Sequence, residues 1–225
     1  MSPLVKICGL STPETLAVAL DAGADLVGFV RFPKSPRHVE LETARLLSAQ
    51  AKGRAERVAL VVDADDRELA AIVDAIGPDL IQLHGGETPE RVRAIRARFG
   101  RPVMKAVGLA ERADLAALEP YRGIADRLLL DAKPPPTPEA LPGGNGLTFD
   151  WRLLVGLDPR LTFMLSGGLT SETVETAVAL TGARAVDVSS GVETRPGEKD
   201  PAKIEAFVRA ARAAFAAAER KAQSA

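Results

Sequence analysis

A single cysteine, Cys8, stands in 225 residues. One thiol cannot close an internal disulfide, so the expected setting is a reducing compartment, the cytoplasm. Excess charge of either sign is also missing. Lys and Arg number 29 against 30 Asp and Glu, a formal net charge of −1, which leaves no basic footprint for nucleic acid. No apolar run approaches the ~20 residues of a membrane span. Strand-like sequence begins by Leu4, which leaves no room for a signal peptide. No G-x-G-x-x-G follows a strand, no Walker loop is present, and no Ser-His-Asp arrangement stands out. Only two histidines occur, His38 and His84, and no cluster has metal-ligand spacing. Hydrophobic residues make up 46% of the chain, which fits a globular protein with a large core.

What is present is repetition. Short β-branched runs ending in Gly, Asp, Ser or His recur at 5–9, 26–31, 57–63, 80–85, 102–108, 127–132, 163–168 and 185–191. Helical patterns lie between them. Thr12-Pro13, Thr88-Pro89 and Asp200-Pro201 each set a capping residue before a proline suited to a first helical turn. Gly23, Gly77, Gly100 and Gly182 stand where helices should stop. Nearly continuous apolar strands, each followed by a helix, imply a buried parallel sheet. From Cys8 to Ser189 the seven steps average about 26 residues, a workable βαβ spacing. "ETLAVALDAGA" (14–24) and "ETAVALTGA" (175–183) echo one another. The expectation is a (β/α)8 TIM barrel in a single domain spanning 1–225, with an open doubly wound sheet as the alternative. The irregular stretch 133–150, rich in Pro and Gly, follows the sixth strand. A loop of that length is expected to act as a lid or to be disordered.

Barrel chemistry sits at the C-terminal ends of strands. Cys8, Arg31, Asp63, His84, Asp131, Ser166, Asp187 and Ser189 occupy those ends. Side chains alternate along a strand, so Lys6 points inward with Cys8, and Asp187 with Ser189. The first and eighth strands are neighbours in a closed barrel, so Lys6 and Asp187 can meet as a buried pair, structural or substrate-binding. Cys8 reads either as a small buried hydrophobe or as a base whose thiol pKa is lowered by the Lys6 ammonium. Asp131 ends a very apolar strand, where desolvation lets a carboxyl group hold a proton. Cys8 and Asp131 would then flank whatever lies between them. Two turns, Gly167-Gly168 and Ser189-Ser190-Gly191, follow the seventh and eighth strands, where barrels bind phosphate through backbone N–H groups. In "RFPKSPRHV" (31–39), Arg31 and Lys34 read as solvated, and one arginine held there could clamp a carboxylate. His84 reads as a structural or supporting residue.

In order, KICGL (6–10), GFVRFPKSPR (28–37), QLHG (82–85), KAVG (105–108), LLLDAK (128–133), GGNGLTFDW (143–151), LSGGL (165–169) and VDVSSGVETRPGEKD (186–200) resemble the phosphoribosylanthranilate isomerase family of tryptophan biosynthesis. The resemblance implies a cofactor-free, metal-free Amadori rearrangement of a phosphorylated small molecule, without a nucleic-acid or membrane partner. It implies Cys8 as general base, Asp131 as general acid, Arg37 on the anthranilate carboxylate, and the two turns on the phosphate. Family members often carry a lysine where this chain has Leu147, so loop charge is not expected to add to phosphate binding. A histidine-pathway isomerase would want aspartate in place of Cys8. Indole-glycerol-phosphate synthase would want lysine and glutamate at strand ends. A catalytically dead binding barrel would not need both Cys8 and Asp131. Monomer and homodimer both stay open.

Overall fold

A computed structural model describes residues 2–137, 141–158 and 160–223. Eight parallel strands close into a barrel in chain order. They are β1 (Leu4–Cys8), β2 (Leu26–Arg31), β3 (Glu56–Val61), β4 (Leu80–Leu83), β5 (Val103–Leu109), β6 (Arg127–Ala132), β7 (Phe163–Leu165) and β8 (Ala185–Val188). Closure comes where β1 meets β8, and that register sets Lys6 opposite Asp187.

Among the described residues, six α-helices cover the barrel: α1 (Pro13–Asp21), α2 (Leu41–Ala51), α3 (Asp66–Ile76), α4 (Pro89–Phe99), α5 (Val174–Thr181) and α6 (Pro201–Gln223). The caps explain their bounds. Thr12 and Thr88 accept the N–H groups of Thr15 and Arg91, ahead of Pro13 and Pro89. Gly77, Gly100 and Gly182 end their helices in the left-handed conformation, as their spacing implies. Two crossovers depart from the expected regular alternation. Arg112–Tyr121 forms 3-10 turns between β5 and β6, with Pro120 inside the run. Trp151–Leu154 forms a single 3-10 turn between β6 and β7. Proline removes a donor and clashes with the preceding turn, so a regular α-helix does not form over residue 120.

Alternation along the strands makes two cores. Val5, Ile7, Val27, Phe29 and Ile81 pack outward against the helices. Leu26, Val58, Leu80, Met104, Leu129 and Met164 fill the floor inside the barrel. Above that floor the interior turns polar: Lys6 and Gln82 are fully buried, and Asp131 and Asp187 nearly so. After β8 the chain makes a small antiparallel hairpin, β9 (Glu193–Arg195) with β10 (Glu198–Lys199), which pairs Lys199 with Glu193. Helix α6 then packs on α5, α1 and β1.

Phe207 on α6 is fully buried. Phe207→Ala should therefore lower unfolding free energy by about 3–5 kcal/mol, the usual cost of emptying an aromatic core position. Urea denaturation measures it. A loss below about 1 kcal/mol would mean that the site collapses freely and that α6 does not clamp the barrel.

Candidate active site

The polar interior begins with one ion pair. Lys6 Nζ donates to Asp187 Oδ1 at 2.7 Å, with the lysine side chain wholly buried. Burial works against the ammonium, but Asp187 outweighs it and the Lys6 pKa is raised. Ser166, at the end of β7, donates to the other Asp187 oxygen at 3.2 Å. Asp187 is thus held between β1 and β7.

Cys8 lies one layer above Lys6 and is 3% exposed. Its neighbour on β2 is Gly28. A Cβ at Gly28 would come within 2.9 Å of Cys8 Sγ, so glycine there makes room for the thiol. The sequence argument expected Lys6 to depress the thiol pKa. Burial instead pushes it up; Lys6 and Lys199 pull down and Asp187 pushes up. The Lys6 ammonium is already neutralised by Asp187, so desolvation of the thiolate dominates. Burial thus favours the thiol form of Cys8.

Asp131 occupies the end of β6, on the same pocket as Cys8. Its Oδ1 accepts the N–H of Ala132 at 2.8 Å. Its Oδ2 lies 3.3 Å from His84 Nε2. His84 Nδ1 sits 2.9 Å from the Gln82 amide nitrogen. The ring thus bridges Gln82 and Asp131. His84 was expected to be a structural or supporting residue, and it stands between Gln82 and Asp131. Gln82 was missed, because an inward glutamine in "LIQLHG" has no sequence signature of its own.

Arg37 is brought into the same pocket, 4% exposed. Its Nε and Nη2 donate to the two oxygens of Glu193 at 2.7 and 2.8 Å. The third nitrogen, Nη1, faces the 133–150 loop, where a Cβ on Gly144 would stand 2.5 Å from it. Gly143 passes equally close over His84 and Asp131. The glycine pair lets loop backbone lie directly on the acid and on the arginine. Arg31 corrects the expectation of a solvated side chain. It donates to the Val39 carbonyl, lies 3.2 Å from His38 Nε2, and is only 10% exposed. Arg31 ends a buried strand, and the returning chain at Val39 folds over it. Lys34 is exposed as expected.

Both glycine-serine turns line the pocket. Among the described residues, no protein acceptor takes the N–H of Gly167, Gly168, Ser190 or Gly191. Unclaimed N–H groups converging on one rim suit an anion. Leu147 also lines this rim and brings no charge to it. Asp63, at the end of β3, stays outside: its carboxylate accepts the N–H of Gly86 at 2.7 Å, and the residue lines a neighbouring cleft.

Known proteins share this architecture and sequence. The family model for N-(5'phosphoribosyl)anthranilate (PRA) isomerase matches residues 5–210. The chain is 63% identical to the N-(5'-phosphoribosyl)anthranilate isomerase of Azorhizobium caulinodans over 95% of this chain and 93% of that one. It is 59% identical to that of Nitrobacter winogradskyi over 95% of each. The phosphoribosyl anthranilate isomerase structure from Thermotoga maritima superposes with a TM-score of 0.84 at 36% identity, covering 95% of this chain and all of that one. Monomers generated from the dimeric Thermotoga maritima protein give 0.81 at 36% identity over the same shares. A phosphoribosyl anthranilate isomerase in complex with reduced 1-(o-carboxyphenylamino)-1-deoxyribulose 5-phosphate gives 0.82 at 34% identity, again over 95% of this chain and all of that one. With its closed barrel and with matches this long at this identity, the chain belongs to the N-(5'-phosphoribosyl)anthranilate isomerase family.

Proposed function

We propose that the rearrangement of N-(5'-phosphoribosyl)anthranilate runs in this chain between Cys8 as general base and Asp131 as general acid. The observation that carries the reading is that both line one pocket from different walls, β1 and β6. The product is 1-(2-carboxyphenylamino)-1-deoxyribulose 5-phosphate.

The chemistry needs one proton given and one taken. Asp131 protonates the ribose ring oxygen. The bond from that oxygen to C1′ breaks, and the nitrogen lone pair forms a C1′=N iminium. Electron withdrawal by the iminium acidifies the C2′ proton. With its own proton released to solvent, Cys8 removes the C2′ proton as thiolate, giving an enolamine that takes a proton at C1′ and tautomerises to the ketone. A cation beside a buried thiol favours its ionised form. The iminium thus makes the thiolate easier to form, against the burial that raises the thiol pKa in the free enzyme. Lys6 and Asp187 supply the fixed charges beneath it. His84 holds the Asp131 carboxyl group edge-on to the pocket.

The substrate has an anion at each end. Arg37 Nη1 is assigned to the anthranilate carboxylate, because its other two nitrogens are already held by Glu193. The phosphate is assigned to the N–H groups of Gly167, Gly168, Ser189, Ser190 and Gly191. Cytoplasmic residence accords with the single unpaired thiol. A second copy of this chain is the partner that accords with the dimeric Thermotoga maritima relative.

Two substitutions separate the roles. Cys8→Ser replaces a thiol with a far weaker acid that supplies almost no anion as base. Its kcat should fall by about 10²–10⁴-fold while KM changes little, the range of general base catalysis. Wild-type turnover by the purified serine variant would remove Cys8 from the mechanism. Asp131→Asn keeps shape and hydrogen bonding but cannot deliver a proton. Turnover should fall by a similar order, about 10²–10⁴-fold, with product binding and melting temperature near wild type. A variant that melts early yet keeps its kcat would make Asp131 a structural carboxylate.

A further inference from the structure

Arg37, Glu193 and Lys199 form a chain of buried charges beside the pocket, and the proposed reaction gives no role to the last two. Glu193 opens β9 and Lys199 closes β10, facing each other across the hairpin. Glu193 Oε1 accepts from Arg37 Nε at 2.7 Å and from Lys199 Nζ at 2.6 Å. Glu193 Oε2 accepts from Arg37 Nη2 at 2.8 Å. Lys199 Nζ donates further to the Ser189 carbonyl at 2.9 Å and to Ser189 Oγ at 3.1 Å. All three of its hydrogens are therefore placed. Arg37, Glu193 and Lys199 are 4, 7 and 6% exposed.

The arrangement has direction. One carboxylate fixes two of the three guanidinium nitrogens and leaves the third, Nη1, beside Gly144, which lines the pocket with Arg37. The fork geometry of arginine lets one bidentate partner set the plane of the whole group. The other end of the chain grips the turn that carries Ser189. A positive φ of 86° at Gly197 lets the hairpin tip rest against the Pro36 carbonyl, in the segment that bears Arg37. Burial favours a protonated Glu193, yet Arg37 and Lys199 outweigh it and hold its pKa below the usual carboxylate range. The glutamate stays an anion and a double acceptor.

We infer that Glu193 and Lys199 are positioning residues: a strut that aims Arg37 at the ring carboxylate at one end and sets the Ser189 turn for the phosphate at the other. This rests on the assignment of Arg37 and of the turns under Proposed function. It adds that the spacing of the two anion sites is held by the β9–β10 hairpin rather than by the barrel strands.

The test uses the full chain and two ligands, reduced 1-(o-carboxyphenylamino)-1-deoxyribulose 5-phosphate and its counterpart lacking the ring carboxylate. The ratio of their dissociation constants by calorimetry reads the carboxylate contact alone. Wild type should favour the carboxylated ligand by about 10–100-fold, the range of one charge-assisted hydrogen bond. Arg37→Ala should bring the ratio to about 1. Glu193→Gln should cut it by about tenfold, and Glu193→Asp, which keeps the charge but shortens the reach, should fall between. Lys199→Met should raise the inhibition constant of inorganic phosphate by about tenfold, and Lys199→Arg should restore much of that loss. A merely structural strut would lower the melting temperature and leave both readouts at wild type; that result overturns the inference. If Glu193→Gln does not fold, an unchanged ratio in Glu193→Asp overturns it equally. Should Arg37→Ala leave the ratio at the wild-type value, the assignment of Arg37 fails first, and the strut's carboxylate arm with it.

Discussion

Everything in this pocket is arranged around the Lys6–Asp187 pair, 2.7 Å apart where the barrel closes. A cation and an anion lie in the middle of a protein interior with no exposed lysine surface at all. Removing one partner from such a pair commonly costs about 3–5 kcal/mol, because the other is left charged and unpaired. The pair constrains three things at once. It links the first and last strands through side chains as well as backbone. It draws Ser166 from β7 to the second Asp187 oxygen. It also determines what Cys8 experiences, since a lysine already neutralised stabilises a thiolate less than a bare one would.

The rest of the site accommodates that constraint. With the floor of the barrel apolar and its centre ion-paired, the reacting groups sit in the layer above. Cys8 fits because β2 offers glycine there. Asp131 and His84 face it from β6 and the end of β4. Binding groups come from outside the strands: Arg37 from the loop after β2, the anion turns after β7 and β8, and the glycine pair 143–144 from above. Under the proposed assignments, rigid strands carry the proton chemistry while loops carry recognition, as is usual on this architecture.

The frame was legible in the sequence because its signals are local. Apolar runs of constant spacing, threonine-proline caps and glycine stops each act within a few residues, and they led to eight strands in the right order. The Lys6–Asp187 pair was legible too, since strand alternation and closure of first on last suffice to bring them together. What escaped depends on burial and distant contacts. Whether Lys6 or desolvation controls the Cys8 thiol turns on a competition that residue types do not reveal, and desolvation wins. Arg31 looks like a loop cation, yet the chain returning at Val39 covers it. Glu193 and Lys199 read as ordinary hairpin charges in "VETRPGEKD"; only the fold brings Arg37, 156 residues away from Glu193 in sequence, against them. Pro120 is a local signal against a regular helix after β5.

Under the proposed roles, Cys8 rests as a buried thiol and ionises as charge develops on the substrate. With one cysteine in the chain, ultraviolet thiolate absorbance followed against pH, with Cys8→Ser as the blank, reports on Cys8 alone. The account predicts no thiolate at neutral pH and a midpoint above the ordinary thiol value of about 8.5. A midpoint below about 7 would mean that Lys6 wins over desolvation, and it would contradict the account.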